Sequence, residues 1–243
     1  MDSKLVIPLV ALAATTLGGP AAARPRAVIE MFTSQGCSSC PPADRVLLEL
    51  ARDPDVIALS LPVDYWDYLG WKDTLAHSAF SARQRDYASA RGDRQVYTPQ
   101  AVVNGVTASV GSNRAELGHE IGRAGLPVAV AARETDGRLA IEVGAASGAA
   151  SGAAQKGEVW VLPVLRAHEV AIGRGENRGH SVAYVNVVRG LVRVGAWTGA
   201  AARFEVPLDQ TRAGGSDGYV VLLQIAEPGR PAAILGAAKG PGL

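Results

Sequence analysis

Ala27-Val28-Ile29-Glu30-Met31-Phe32-Thr33-Ser34-Gln35-Gly36-Cys37-Ser38-Ser39-Cys40-Pro41-Pro42-Ala43-Asp44 is the stretch on which the reading of this chain turns. The apolar run 27–32 predicts a buried strand, and Thr33 to Gly36 are loop residues. Pro41 and Pro42 sit acceptably in the first turn of a helix, where backbone N–H groups lack partners. Val46, Leu47 and Leu50 then recur at helical spacing. Strand, loop, and a Cys-x-x-Cys opening a helix make a redox couple of two thiols. The partial positive charge of the helix N-terminus favours the thiolate of Cys37.

Working outward, Asp53-Pro54-Asp55 ends the helix and 56–63 predicts a second strand. A strand–helix–strand unit of this length predicts two parallel strands. The chain has 6 Tyr and 4 Trp, of which Tyr65, Trp66, Tyr68 and Trp71 crowd one short insertion. A helix is predicted from about Leu75 to Arg91. Asn104-Gly105 between two apolar runs predicts a hairpin, and Ser112 or Asn113 caps a closing helix toward Ala124. After Pro127 short β-rich runs recur at 128–133, 138–143, 158–165, 181–188, 191–197, 203–207 and 219–226. Gly, Pro, Asp and Ser punctuate them, as in a sandwich or barrel. The low-complexity segment 144–154 reads as a long loop between strands.

The N-terminal segment has the pattern of a secretory signal: Lys4, an apolar run from Leu5 to Ala14, and the small residues Ala21-Ala22-Ala23. Cleavage after Ala23 is expected, which leaves no stable membrane insertion and a periplasmic or secreted location; a segment retained as a membrane anchor is the alternative. In such a compartment Cys37 and Cys40 form a disulfide. A disulfide closing so short a loop stabilises little, which tilts its reading toward chemistry. The net charge of +1, without a basic block, argues against nucleic acid as a partner. The expected division is a signal peptide over 1–23, an α/β domain over 24–126 and a β-rich domain over 127–243.

The first of these domains resembles the thioredoxin fold, on the strand before Cys37-x-x-Cys40, the strand–helix–strand unit, and Thr98-Pro99 opening a strand that ends in the Asn-Gly hairpin. The blocks Met31 to Asp44 and Val63 to Trp71 resemble a secreted bacterial thioredoxin-like family classed as a domain of unknown function. The fold class that follows is an α/β thioredoxin-like domain followed by a mainly β, sandwich-like domain. The resemblance implies that Pro99 is cis beside the cysteines and that Thr98 pairs with an extended substrate segment. The dipeptide Ser38-Ser39 differs from that of thioredoxin and of the strongly oxidising periplasmic enzymes. With no His or Lys between the cysteines, an intermediate thiolate pKa and potential are expected.

The function expected is a thiol–disulfide oxidoreductase, with protein or small-molecule thiols and disulfides as partners and no cofactor besides the disulfide. An exposed Cys37 attacks and Cys40 resolves. Glu30, a carboxylate in an apolar strand, is either the acceptor of the Cys40 proton or a solvated or salt-bridged strand residue. Tyr65, Trp66 and Trp71, with Tyr68, either wall a substrate groove, with Asp64 and Asp67 orienting groups there, or cap the core. His77, His119 and His168 read as ordinary residues, and His180 as a loop residue near a cleft. No metal ligands are assigned. The alternatives are a Cu(I)-binding metallochaperone or sensor, and a non-enzymatic binding protein with a structural disulfide.

Overall fold

A computed structural model describes residues 24–146, 156–227 and 230–243. The expected signal segment 1–23 and most of the low-complexity loop therefore lie outside the described residues. Strand β1 (Ala27–Thr33) is buried along its whole length and pairs in parallel with β2 (Val56–Pro62). Between them runs α1 (Cys40–Leu50), which starts on the second cysteine and has proline in its first turn. Helix α2 (Ser78–Arg91) follows. Then come β3 (Gln100–Val103) and β4 (Thr107–Val110), joined through Asn104 at φ 48°, and α3 (Arg114–Arg123). Asn113 caps α3 by accepting the Glu116 N–H.

Alternation along β1 sends its residues to two cores. Ala27, Ile29 and Met31 pack under α1 and α3 with Leu47, Leu117 and Ile121. Val28 and Phe32 pack on the opposite face with Phe80 and Tyr87 of α2. Burial on both faces is why β1 and β2 read as nearly continuous apolar runs.

The expected fold class is overturned here. The strands β7 (Gly157–Ala171), β8 (Ser181–Val188), β9 (Val192–Trp197), β11 (Gly218–Glu227) and β12 (Arg230–Lys239) do not form a sandwich of their own. They extend the first sheet into one mixed sheet of nine strands, ordered β12-β11-β7-β8-β2-β1-β3-β4, with β9 also on β7. The fold is thus mostly β around one large sheet. Only β5 (Val130–Thr135), β6 (Arg138–Val143) and β10 (Ala202–Pro207) form a second, three-stranded sheet, ordered β10-β6-β5.

The physical reason lies at the free edge of β2, whose unpaired backbone groups need cover. Strand β8 supplies it, running parallel with Ser60 opposite Val187. Two side chains reinforce the joint: Ser60 Oγ donates to Val185 O at 2.8 Å, and Asn186 Nδ2 donates to Ala58 O at 2.9 Å. Leu162, Val164, Val220, Leu222 and Ile234 from the later strands complete the core under α2. No helix among the described residues is long and apolar enough to cross a membrane.

Candidate functional site

The loop leaving β1 delivers the cysteines to the start of α1. Cys37 and Cys40 form a disulfide with Cα atoms 5.4 Å apart. Ser39 stands at the N-cap without a side-chain cap, and its Oγ lies 3.3 Å from Cys37 Sγ. Ser38 and Ser39 are exposed. Cys37, expected to be exposed, is instead only 4 % exposed, and Cys40 is fully buried.

The Thr98–Pro99 peptide is cis. Phe32 lies opposite Gln100 in the β1–β3 pairing, so the end of β1 leaves the sheet beside Pro99. Trp66 joins the two loops. Its Nε1 donates to Thr98 Oγ1 at 2.8 Å, and a Cβ added to Gly36 would lie 3.2 Å from Trp66 Cβ. Tyr68, 78 % exposed, stacks on Trp66 with ring centroids 6.5 Å apart. Tyr65 turns toward α2, donating from its hydroxyl to Gln84 Oε1 at 3.1 Å, and burial pushes its phenol up to about 12. Trp66, Tyr68 and Thr98 thus share one face beside the cysteine loop. Asp64 accepts from Ser81, and Asp67 accepts the Asp73 N–H at 3.0 Å, so both fold the aromatic segment itself.

Glu30 is placed elsewhere. Its carboxylate takes a bidentate pair from Arg83, at 2.6 Å from Nε and 3.1 Å from Nη2, and accepts the Tyr87 hydroxyl. Arg83 Nη2 also donates to Gln224 Oε1 at 2.9 Å. This buried network ties β1, α2 and β11 together, which is the salt-bridged alternative read from the sequence.

The carboxylate beside Cys40 is one the sequence reading missed. Asp44 lies one helical turn beyond Cys40 on the same face of α1, a spacing that makes side chains neighbours. It is 2 % exposed, accepts the Thr33 hydroxyl at 2.8 Å, and leaves Oδ2 without a partner among the described residues. Burial pushes its carboxyl up to about 7, and the nearby Asp73 charge adds to that rise. Asp73 is itself raised by burial, against N–H bonds from Gln35 and Leu75, both at 2.8 Å. The Tyr184 phenol of β8 faces both carboxylates; burial, then their charge, drives its pKa far up, so it stays neutral. Asp44 was legible in principle: Cys40, Ala43, Asp44 and Leu47 fall on one helical stripe, and all are buried.

The segment 172–180 between β7 and β8 covers this site. Asn177, 5 % exposed, donates from Nδ2 to Gln35 O and to Cys37 O, each at 2.9 Å. Glu176 Oε2 accepts the Ser38 N–H at 3.3 Å. Trp71 belongs to this contact and not to the face of Trp66. It donates to Gln35 Oε1 at 2.8 Å, and Gly175, at φ 74°, sits where an added Cβ would come within 3.2 Å of Trp71 Cβ. His180 is exposed at the end of the segment. Among the described residues no group of three or more His, Cys, Asp or Glu stands together as a metal cluster.

Fold and site together define a protein with a dithiol/disulfide at a helix N-terminus, on a large mixed sheet whose later strands fold back over it. The chain belongs to the family described as protein of unknown function DUF1223, which matches residues 28–224. It is similar to the crystal structure of protein AGR_C_4864 from Agrobacterium tumefaciens, with 34% identity over 90% of this chain and 96% of that one and a TM-score of 0.79. HBP35 of Porphyromonas gingivalis shares the fold at 13% identity, over 89% of this chain and 74% of that one, with a TM-score of 0.56. No curated protein matches the chain.

Proposed function

We propose that this protein is a periplasmic or secreted thiol–disulfide oxidoreductase working through Cys37 and Cys40, with a site of thioredoxin-like type. The observation that carries the reading is Asp44. Asp44 is buried on α1 one turn beyond Cys40 with Oδ2 unpartnered among the described residues, and a carboxyl pushed up to about 7 suits it to take the proton of the resolving thiol.

In the reducing direction, Cys37 thiolate attacks a substrate disulfide, forms a mixed disulfide and releases one substrate thiolate. Asp44 takes the proton from Cys40, and the Cys40 thiolate attacks Cys37 Sγ. That step closes the Cys37–Cys40 disulfide and releases the second substrate thiol. Two electrons pass from the cysteine pair to the substrate, and the oxidising direction is the reverse. The substrate approaches over exposed Ser38 and Ser39, with Thr98 and the Trp66–Tyr68 face supporting an extended peptide.

Cys40→Ser tests the reading, because it leaves the attacking thiol without its resolving partner. Incubated with a disulfide-bonded peptide, Cys40→Ser is expected to accumulate a mixed disulfide on Cys37, seen as a mass increase reversed by dithiothreitol. Cys37→Ser is expected to accumulate none. Equal trapping by both variants, or by neither, refutes the assignment, as does a reduction potential below about −300 mV for the native pair.

A further inference from the structure

The segment 172–180 brings a carboxylate onto the backbone of the cysteine loop. The first amides of a helix carry its partial positive charge, and a cysteine at that end ordinarily gains from it. Here the Ser38 N–H, one residue before the N-cap Ser39 and next in chain to Cys37, is taken by Glu176, whose charge thus stands just outside that end of α1. Glu176 is held there by construction. Its neighbour Asn177 is bonded to the carbonyls of Gln35 and Cys37, and Gly175 is packed against Trp71. The carboxylate comes from a residue 138 positions away in sequence and is positioned by the cysteine loop itself.

We infer that Glu176 is a positioning residue for the redox pair: a resident anion at the N-terminus of α1 that raises the pKa of the Cys37 thiol and biases the pair toward the disulfide. The inference rests on the oxidoreductase reading. With glutathione as reductant, the disulfide and two glutathione molecules give the dithiol and one glutathione disulfide, with two electrons and two protons passing to the pair. Whatever destabilises the Cys37 thiolate pulls that equilibrium back toward the disulfide. The charged and titratable groups on the elements that meet the cysteine loop are Asp44 and Arg45 at the start of α1, Asp73 after β2, Tyr184 on β8, and Arg174, Glu176, Arg178 and His180 on the covering segment. Of these, Glu176 is the one hydrogen-bonded to the Cys-x-x-Cys backbone.

The test is the pH dependence of alkylation of Cys37 by iodoacetamide in the reduced full-length protein, for the native chain, Glu176→Gln and Glu176→Lys. Gln keeps an oxygen for the Ser38 N–H and removes only the charge. Glu176 is exposed, so its field is partly screened. The midpoint is expected to fall by about half to one pH unit in Glu176→Gln, or about three- to tenfold more thiolate below the midpoint, and further in Glu176→Lys. The drop is expected to shrink in 1 M salt. The glutathione equilibrium shifts toward the dithiol by the same factor at pH above both midpoints. Asp44 titrates in this range, and repeating the series in Asp44→Asn removes its contribution.

An unchanged or raised midpoint in both Glu176 variants overturns the inference. Alkylation reports the thiolate whether or not the protein catalyses exchange. A midpoint that falls as expected in a protein that traps no mixed disulfide would therefore sink the oxidoreductase reading and leave the electrostatic role of Glu176 standing. Trapping with an immobile midpoint would do the opposite.

Discussion

Asp44→Asn separates the cost of a buried carboxylate from its use. Raising a carboxyl from 3.8 to about 7 corresponds to about 4 kcal/mol, at 1.36 kcal/mol for each pH unit. Between pH 4 and 7 the folded protein keeps a proton on Asp44 that the unfolded chain has released. Stability from this group is therefore fully present below pH 4 and is lost as the pH rises to 7. Asparagine abolishes that slope. Its Oδ1 keeps the Thr33 hydroxyl, and its Nδ2 takes the place of the protonated Oδ2, a donor equally without a partner, so the two side chains are nearly matched where Asp44 is protonated.

The variant is thus expected to lie within about 1 kcal/mol of the native chain at pH 4, and to be more stable by up to about 4 kcal/mol at pH 8. Urea unfolding of the oxidised proteins at pH 4.5, 6 and 8 reads this as a gap between the two stability curves that widens with pH. Asp73 keeps a pH slope of its own in both proteins, so the quantity to compare is the difference between them. In the same variant, resolution of the mixed disulfide by Cys40 is expected to slow and to lose its inflection near pH 7. Parallel stability curves with unchanged resolution kinetics would refute both the buried charge and its role as proton acceptor.

Glu30→Gln leaves Arg83 charged and buried without its partner. It is expected to cost about 3–5 kcal/mol in urea unfolding while leaving the alkylation midpoint of Cys37 in place; a shifted midpoint without loss of stability would return Glu30 to the site. Asn177→Ala removes the donor to Gln35 O, whereas Cys37 O keeps the Cys40 N–H at 3.1 Å. The expected loss is about 1–3 kcal/mol, with faster hydrogen exchange at the Cys37 and Cys40 amides. Unaltered exchange there would show that the covering segment does not hold the loop.

The sequence showed the cysteine loop because its signals are local. Proline in the first turn of α1, the apolar run of β1 and the Asn104-Gly105 turn each act within a few residues. The later strands were legible as strands for the same reason, with β6 and β8 at their expected bounds. Strand β12 was missed because Arg230-Pro231-Ala232-Ala233 lacks β-branched residues and carries a proline. The partner of each strand was not legible, because alternation specifies which face is buried and not which edge is paired.

That one missing piece of information accounts for the main errors in the site. Once β8 pairs with β2, the connection entering it must pass over the start of α1, carrying Glu176 and Asn177 onto the cysteine loop and Tyr184 behind Asp44. Cys37 is then covered, Trp71 packs against the covering segment, and the carboxylates near the sulfurs are Asp44, Asp73 and Glu176. Glu30, drawn by β11 and α2 into the Arg83 network, serves the joint between the early and late strands. The later strands therefore shape the surroundings of the cysteines as well as the stability of the early strands. Deleting them to isolate the cysteine-bearing part would expose the edge of β2 and strip the site of Glu176 at once.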